Sequence, residues 1–229
     1  MSSNRSSALL VPAAGSGTRL GHSDPKALVP VRGRALLLRT LDALCAAWPF
    51  DDVVVAAPPA QLERFTDLVA TFGRSARVVA GGATRQRSVA AALDATASGI
   101  ELVCVHDAAR PLVSATTVAA VLDAAARVGA ATAAVRPVDS VRVEGEDGLA
   151  RPVDRKRTWL VQTPQAFAAA TLREAHLRAA ADAVEVTDDA SLGDVYGFPI
   201  EVVPGDPDNV KVTRPRDLEW VERALSGRD

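Results

Sequence analysis

Asp107 is placed for chemistry by what surrounds it. It sits among small residues in His106-Asp107-Ala108-Ala109-Arg110-Pro111, directly after the apolar run 101–105. A strand over that run would end at the acid, and α/β sheets bind ligands at the carboxyl ends of their strands. Mg2+ takes one or two carboxylates and completes its shell with phosphate oxygens and water, so a single Asp beside a triphosphate is sufficient. Asp107 is therefore a candidate metal ligand. Arg19 and Lys26 lie within and just past a glycine run. Two fixed cations beside exposed backbone amides suit a triphosphate better than a neutral ligand. Three histidines, His22, His106 and His176, provide no metal triad, and Cys45 and Cys104 lie in apolar stretches that read as free core thiols.

The glycine run is Pro12-Ala13-Ala14-Gly15-Ser16-Gly17-Thr18-Arg19-Leu20-Gly21, followed by Asp24-Pro25-Lys26. Small residues here let backbone N–H groups approach an anion. The loop lacks the Gly-Lys-Ser/Thr of a Walker motif. It also fails as a dinucleotide fingerprint, because the second strand ends Val55-Ala56-Ala57-Pro58 with no acid for a ribose. A second turn, Gly81-Gly82, precedes a helical pattern in which Ser88 falls within the first turn or two. From there its hydroxyl can point back toward the sheet edge.

The elements that must position these residues follow a regular rhythm. Strand-length apolar runs at 8–13, 52–57, 76–80, 101–105 and 130–135 alternate with helical patterns at 35–48, 60–72, 82–97 and 114–128, the last capped by Ser114. Such alternation predicts an α/β fold with a doubly wound, mostly parallel sheet. The rhythm breaks after Pro137. Residues 140–144 and 149–153 flank Gly145-Glu146-Asp147-Gly148 and read as a β-hairpin arm over 138–156. Helices at 168–181, after Thr187-Asp188, and at 214–225, with a strand at 200–203, complete a single domain over 8–228. Residues 1–7 read as a polar disordered tail.

Hydrophobic residues make up 48% of the chain and aromatics 4%, so its core must be mostly Ala, Val and Leu. A formal charge of −2 gives no reason to expect nucleic acid or a membrane surface as partner. No stretch is long and apolar enough to span a bilayer, and no apolar signal core follows the N-terminus, which together predict a cytoplasmic protein.

Taken with their order, these motifs resemble those of the nucleotidyltransferases that charge sugar phosphates. PAAGSGTRLG with its following PK, GGATRQRS, HDAARP, Val138-Asp139-Ser140, Val153-Asp154-Arg155, Gln162-Thr163-Pro164-Gln165-Ala166-Phe167, Thr187-Asp188-Asp189-Ala190-Ser191 and Asp208-Asn209-Val210-Lys211-Val212-Thr213 are similar to the methylerythritol phosphate cytidylyltransferase family. The resemblance implies transfer of CMP from CTP to 2-C-methyl-D-erythritol 4-phosphate in isoprenoid precursor synthesis, with Mg2+ or another divalent cation. It implies Arg19, Lys26, Asp107 and Lys211 as catalytic residues. CTP would meet Pro12, Ala13, Ala14, Gly15, Gly17, Gly82 and Ser88. The acceptor would meet Ala108, Arg110, Ser140, Arg155, Thr163 and Thr187. The family's arm packs across a homodimer, so Ser140 and Arg155 would serve the partner's site. Ser140 stands where relatives more often have Thr, and Thr18 where a basic residue is common. Ribitol-5-phosphate cytidylyltransferase and a non-catalytic nucleotide-binding protein are the alternative functions.

Overall fold

The computed structural model describes residues 5–15 and 24–227. Its centre is a seven-stranded sheet built from β1 (Ser7–Pro12), β4 (Asp52–Ala57), β5 (Arg77–Ala80), β6 (Leu102–Val105), β7 (Ala130–Val135), β10 (Leu160–Ala168) and β11 (Glu201–Pro204). The short strands β2 (Pro30–Val31) and β3 (Arg34–Ala35) pair with each other outside it. The order across the central sheet is β11-β7-β10-β6-β1-β4-β5. Pairings β5–β4, β4–β1, β1–β6 and β7–β11 are parallel, while β10 runs antiparallel to both β6 and β7. The sheet is thus mostly parallel, as the alternating pattern predicts.

Alternate residues of each central strand face opposite layers. Leu9 and Val11 of β1, with Val53 and Val55 of β4, pack beneath α1 (Leu36–Ala47), α2 (Leu62–Ala70) and α4 (Ala115–Val128). Ala8, Leu10, Val54 and Ala56 face α3 (Arg85–Asp94), α5 (Ala169–Ala181) and α6 (Ser191–Tyr196). Both faces are covered, which is why these strands are continuous apolar runs without polar alternation. A third cluster seats α7 (Pro215–Ser226) through Val221 against Leu36, Leu112 and Val212.

Ser114 caps α4, accepting the Thr117 N–H at 3.3 Å, and Gly129 closes that helix in the left-handed region at φ 102°. The expected helix over 60–72 is shorter, because Pro58 and Pro59 impose a 3-10 turn at Pro59–Gln61 before α2 begins. The helix after Gly81-Gly82 starts only at Arg85, where Thr84 is the N-cap, and ends at Asp94 rather than near 97.

The tail expected over 1–7 needs correction. Ser7 is the first residue of β1 and is buried, and the Ser6 carbonyl accepts the Glu101 and Leu102 N–H groups. β8 (Val141–Glu144) and β9 (Ala150–Val153) form the separate antiparallel hairpin expected from the sequence. Val138, Val143 and Leu149 stand exposed on and beside it. Among the described residues no helix is long and apolar enough to cross a membrane.

Candidate active site

A cleft of about 270 Å³ opens at the carboxyl edge of the parallel strands. Pro12, Ala13, Ala14 and Gly15 leave β1 along one wall; Gly82, Ala83, Thr84, Arg85 and Ser88 form the turn and first residues of α3. Asp107, Ala108 and Ala109 follow β6, and Lys26, Ala27 and Lys211 complete the lining. Three of the four residues expected to be catalytic, Lys26, Asp107 and Lys211, therefore share one cleft. Arg19 and Gly17 lie outside the described residues.

The two glycine turns are locked together. The Ala13 N–H bonds Ala56 O at 2.8 Å and the Gly81 N–H bonds Ala57 O at 2.7 Å, so both loops, leaving β1 and β5, are anchored on the end of β4 between them. A Cβ at Gly81 would lie 2.9 Å from both Ala14 Cβ and Ser88 Oγ, and one at Gly82 would lie 2.3 Å from Arg87 Cβ. Neither position has room for a side chain. Ser88 Oγ donates to Thr84 O at 2.9 Å and accepts the Gly82 N–H at 3.1 Å. The hydroxyl expected to meet CTP thus builds the turn that carries Gly82.

Asp107 is the hub of the opposite wall. Its amide donates to Thr163 Oγ1 at 3.0 Å. Its Oδ1 accepts from Arg85 Nε at 3.1 Å, its Oδ2 lies 2.7 Å from Lys211 Nζ, and Arg110 Nε is 3.6 Å from Oδ2. Burial pushes this carboxyl upward, but Arg85, Lys211 and Arg110 overcome that and hold it ionised, well below the usual range. The turn behind it is tightly fixed. His106 Nε2 lies 3.0 Å from Arg110 O, Thr40 Oγ1 reaches Ala108 O at 2.9 Å, and the Val212 N–H bonds Ala109 O at 2.8 Å. That last bond brings Lys211, from a distant segment, beside Asp107.

Arg110 does not line the cleft: its Nη1 donates to Asn209 O at 2.7 Å, and burial lowers its pKa. Thr163 is buried with its hydroxyl engaged by Asp107. Thr187, Ser140 and Arg155 are exposed and do not line the cleft. Arg155 Nη1 instead donates to Val138 O at 2.8 Å, tying the base of the arm. Of the residues expected to meet the acceptor, only Ala108 lines the cleft within one chain.

Two residues were missed. Arg85 lines the cleft and bridges two acids, Asp107 through Nε and Asp189 through Nη1 at 2.6 Å. Its pKa is raised: burial disfavours the charge, and Asp189 and Asp107 more than compensate. Asp189 is fully buried and also lies 3.1 Å from His176 Nε2. Arg85 could have been suspected from its position between Gly82 and Ser88. Asp189 had no such signal, since Thr187-Asp188-Asp189 reads as a helix start. Asp188 accepts the Ser191 N–H at 3.1 Å, but α6 begins only at Ser191, with Ala190 in the N-cap position and no side-chain cap.

Among the described residues no three His, Cys, Asp or Glu side chains cluster to hold a metal. The one ionised carboxylate at the cleft fits a hard cation that draws its remaining oxygens from a polyphosphate and water. In this structure both of its oxygens carry a protein cation.

Comparison with known proteins places this geometry. The profile of the family described as IspD: 2-C-methyl-D-erythritol 4-phosphate cytidylyltransferase matches residues 7–226. The 2-C-methyl-D-erythritol 4-phosphate cytidylyltransferase of Deinococcus radiodurans is 48% identical over 221 residues, covering 96% of this chain and 89% of that protein. A Thermus thermophilus protein of the same name is 44% identical over 214 residues, covering 93% and 94%. A crystal structure of a Thermus thermophilus 2-C-methyl-D-erythritol 4-phosphate cytidylyltransferase superposes with a TM-score of 0.78 at 38% identity, over 97% of this chain and 99% of that one. The 4-diphosphocytidyl-2C-methyl-D-erythritol synthase of Anaerococcus prevotii superposes with a TM-score of 0.86 at 26% identity, again over 97% and 99%. With its motifs in order along nearly the whole chain and its cations gathered at one sheet edge, this chain belongs to the IspD family of 2-C-methyl-D-erythritol 4-phosphate cytidylyltransferases.

Proposed function

We infer that this chain transfers CMP from CTP to 2-C-methyl-D-erythritol 4-phosphate, releasing pyrophosphate, in isoprenoid precursor synthesis. The observation that carries the mechanism is the meeting of Lys26, Lys211 and Asp107 with two turns of mostly small residues in one cleft. An oxygen of the acceptor's phosphate attacks the α-phosphorus of CTP; that O–P bond forms as the bond from the α-phosphorus to the bridging oxygen breaks. The acceptor's phosphate is already anionic, so no protein nucleophile is required. The difficulty is repulsion between anions and charge growing on the α-phosphoryl oxygens, which positioning and fixed positive charge offset.

Lys26 and Lys211 supply that charge from the cleft, with Arg19 joining them by family resemblance. Pro12, Ala13, Ala14, Gly15 and Gly82 offer backbone to the nucleotide, with Gly17 assigned to it by family resemblance alone, and Ser88 holds the turn at Gly82. Asp107 is the residue that would hold a divalent cation, which would neutralise phosphate oxygens when bound. Its carboxylate is kept ionised and aimed into the cleft by the bonds described above. To serve the cation, it must exchange one of the protein cations it now carries. Lys211, on a partly exposed side chain, is the natural one to leave for the phosphates.

Ala108 borders the acceptor, while Arg110 and Thr163 fix the turn that presents it. Thr187, Ser140 and Arg155 lie outside the single-chain cleft. We assign them to an acceptor site completed in a homodimer, with the arm of one subunit reaching its partner's cleft. The exposed Val138, Val143 and Leu149 give that arm an apolar surface to bury. A cytoplasmic location accords with the two buried free thiols, Cys45 and Cys104.

Pyrophosphate release in the presence of Mg2+ tests the assignment. Turnover is expected with CTP and 2-C-methyl-D-erythritol 4-phosphate, with ribitol 5-phosphate far poorer as acceptor. Faster turnover of ribitol 5-phosphate would overturn the acceptor assignment, and no pyrophosphate with either would overturn the enzyme.

A further inference from the structure

Asp189 does not itself line the cleft, yet it is tied to it through Arg85. Its side chain is 1% exposed and its Oδ2 takes Arg85 Nη1 at 2.6 Å. The same guanidinium meets Asp107 only through Nε, at 3.1 Å, and its Nη2 is buried with no hydrogen-bond partner. Arg85 is therefore stretched between two acids, with the shorter bond to the one outside the cleft. Asp189 is itself held in place. His176 Nε2 lies 3.1 Å from its Oδ1, and the Gln165 amide accepts the next N–H, that of Ala190, at 3.0 Å. Gln86, next to Arg85, clamps the same segment by donating to Val184 O and accepting the Val186 N–H.

We propose that Asp189 is a positioning residue that sets the divalent-cation affinity of Asp107 by holding Arg85 partly away from it. A guanidinium presents a rigid fork that grips one carboxylate through two nitrogens when nothing else claims them. With Asp189 removed, Nη1 and the orphaned Nη2 are free to turn toward Asp107, and the full charge of Arg85 falls on it. Asp107 would then face Arg85, Arg110 and Lys211 with no second acid to share Arg85. A cation would have to compete with a two-pronged Arg rather than with one bond of 3.1 Å. Asp189 thus leaves Asp107 ionised but exchangeable. The proposal rests on Asp107 as the cation ligand, and its test is arranged to separate the two.

The test is a Mn2+ titration of the CTP-loaded protein, followed by water-proton relaxation, with free CTP as the protein-free control. Asp107→Asn should abolish the protein-dependent signal; an unchanged signal there would remove the cation assignment itself. Given that loss, Asp189→Asn should weaken Mn2+ binding about tenfold, the scale of one further charge-assisted hydrogen bond from Arg85 competing for Asp107. Asp189→Glu, which retains the charge, should recover most of it. The decisive variant is Arg85→Gln with Asp189→Asn, which removes the competing guanidinium and its counter-ion together. It should bind Mn2+ at least as tightly as the wild type, because Asp189 acts only through Arg85. The double variant leaves no buried guanidinium unpaired, so it carries the test even if Asp189→Asn alone does not fold. Weak binding in the double variant, or unchanged binding in a folded Asp189→Asn, overturns the proposal.

Discussion

His106 should make the protein lose stability between pH 6.5 and 5. The ring is fully buried, and Nε2 lies 3.0 Å from the Arg110 carbonyl, which can only accept. The proton therefore sits on Nε2, and Nδ1 is buried with no partner. Burial drives the imidazole from its ordinary 6.5 down to about 4; the bond to Arg110 O and nearby Asp107 oppose this, and the Arg110 and Arg85 cations assist it. Between those two values the unfolded chain holds one proton more than the folded chain. Stability is thus complete above about pH 6.5 and falls as pH drops toward 4. Each pH unit costs about 1.4 kcal/mol, so the whole window amounts to about 3 kcal/mol and the part above pH 5 to about 2 kcal/mol. That is a large share of the ~5–15 kcal/mol that holds a typical domain. Urea unfolding at pH 7 and pH 5, followed by tryptophan fluorescence, measures it against His106→Asn. The variant starts less stable but should lose about 2 kcal/mol less between the two pH values. Equal pH dependence in both proteins, or an imidazole NMR titration near 6.5, would refute the account. Asp107 and Asp189 belong to a lower window. Cations hold both below the usual range against the upward push of burial, so their contribution is present above the unfolded value of 3.8 and is lost as pH falls further.

Lys26→Ala should lower kcat by about 10²-fold or more, the scale for removing one preorganised donor of charge; near-normal turnover at saturating substrates would exclude Lys26 from catalysis. Gly82→Ala places a Cβ 2.3 Å from Arg87 Cβ, so the turn must shift. It should raise the KM for CTP several-fold and cost about 1–3 kcal/mol in urea unfolding. Arg155→Ala should raise the KM for the acceptor much more than that for CTP, and equal rises would mean that the arm does not serve the acceptor.

The fold was legible where its strands are buried on both faces. Residues 52–57 and 130–135 are apolar apart from Asp52 and Thr132 and have firm stops, Pro58 after one and Gly129 before the other, and the strands β4 and β7 have those bounds. The one antiparallel member of the central sheet was not legible as a strand. Gln162, Thr163, Pro164 and Gln165 break every strand signal, since Pro164 cannot donate to a ladder and three polar side chains occupy core positions. The register shifts between Val161 and Gln165 where Pro164 sits. Asp107 and the Gly81-Gly82 turn were readable because their signals are local: a charge or a glycine pair at the end of an apolar run. Arg85 and Asp189 are 104 residues apart, and neither sequence neighbourhood hints at the other.

The polar residues that hid β10 also explain how the site is held. Gln162 bonds both backbone groups of Asp206 and, more loosely, the amide of Asn209, while Asn209 donates to Thr163 O at 2.7 Å; together they fix the segment that delivers Lys211. Thr163 holds the amide of Asp107. Gln165 takes the Ala190 N–H beside Asp189. One buried strand therefore grips the three segments that carry Lys211, Asp107 and Asp189. Apolar residues of similar size would fill the same space but leave these loop amides without partners, a loss of about 1–3 kcal/mol for each buried group left unsatisfied. A core-facing strand rich in polar side chains is a poor choice for burying oily surface. It is a sound one for holding scattered loops, to within hydrogen-bond tolerance, at the rim of a single cleft.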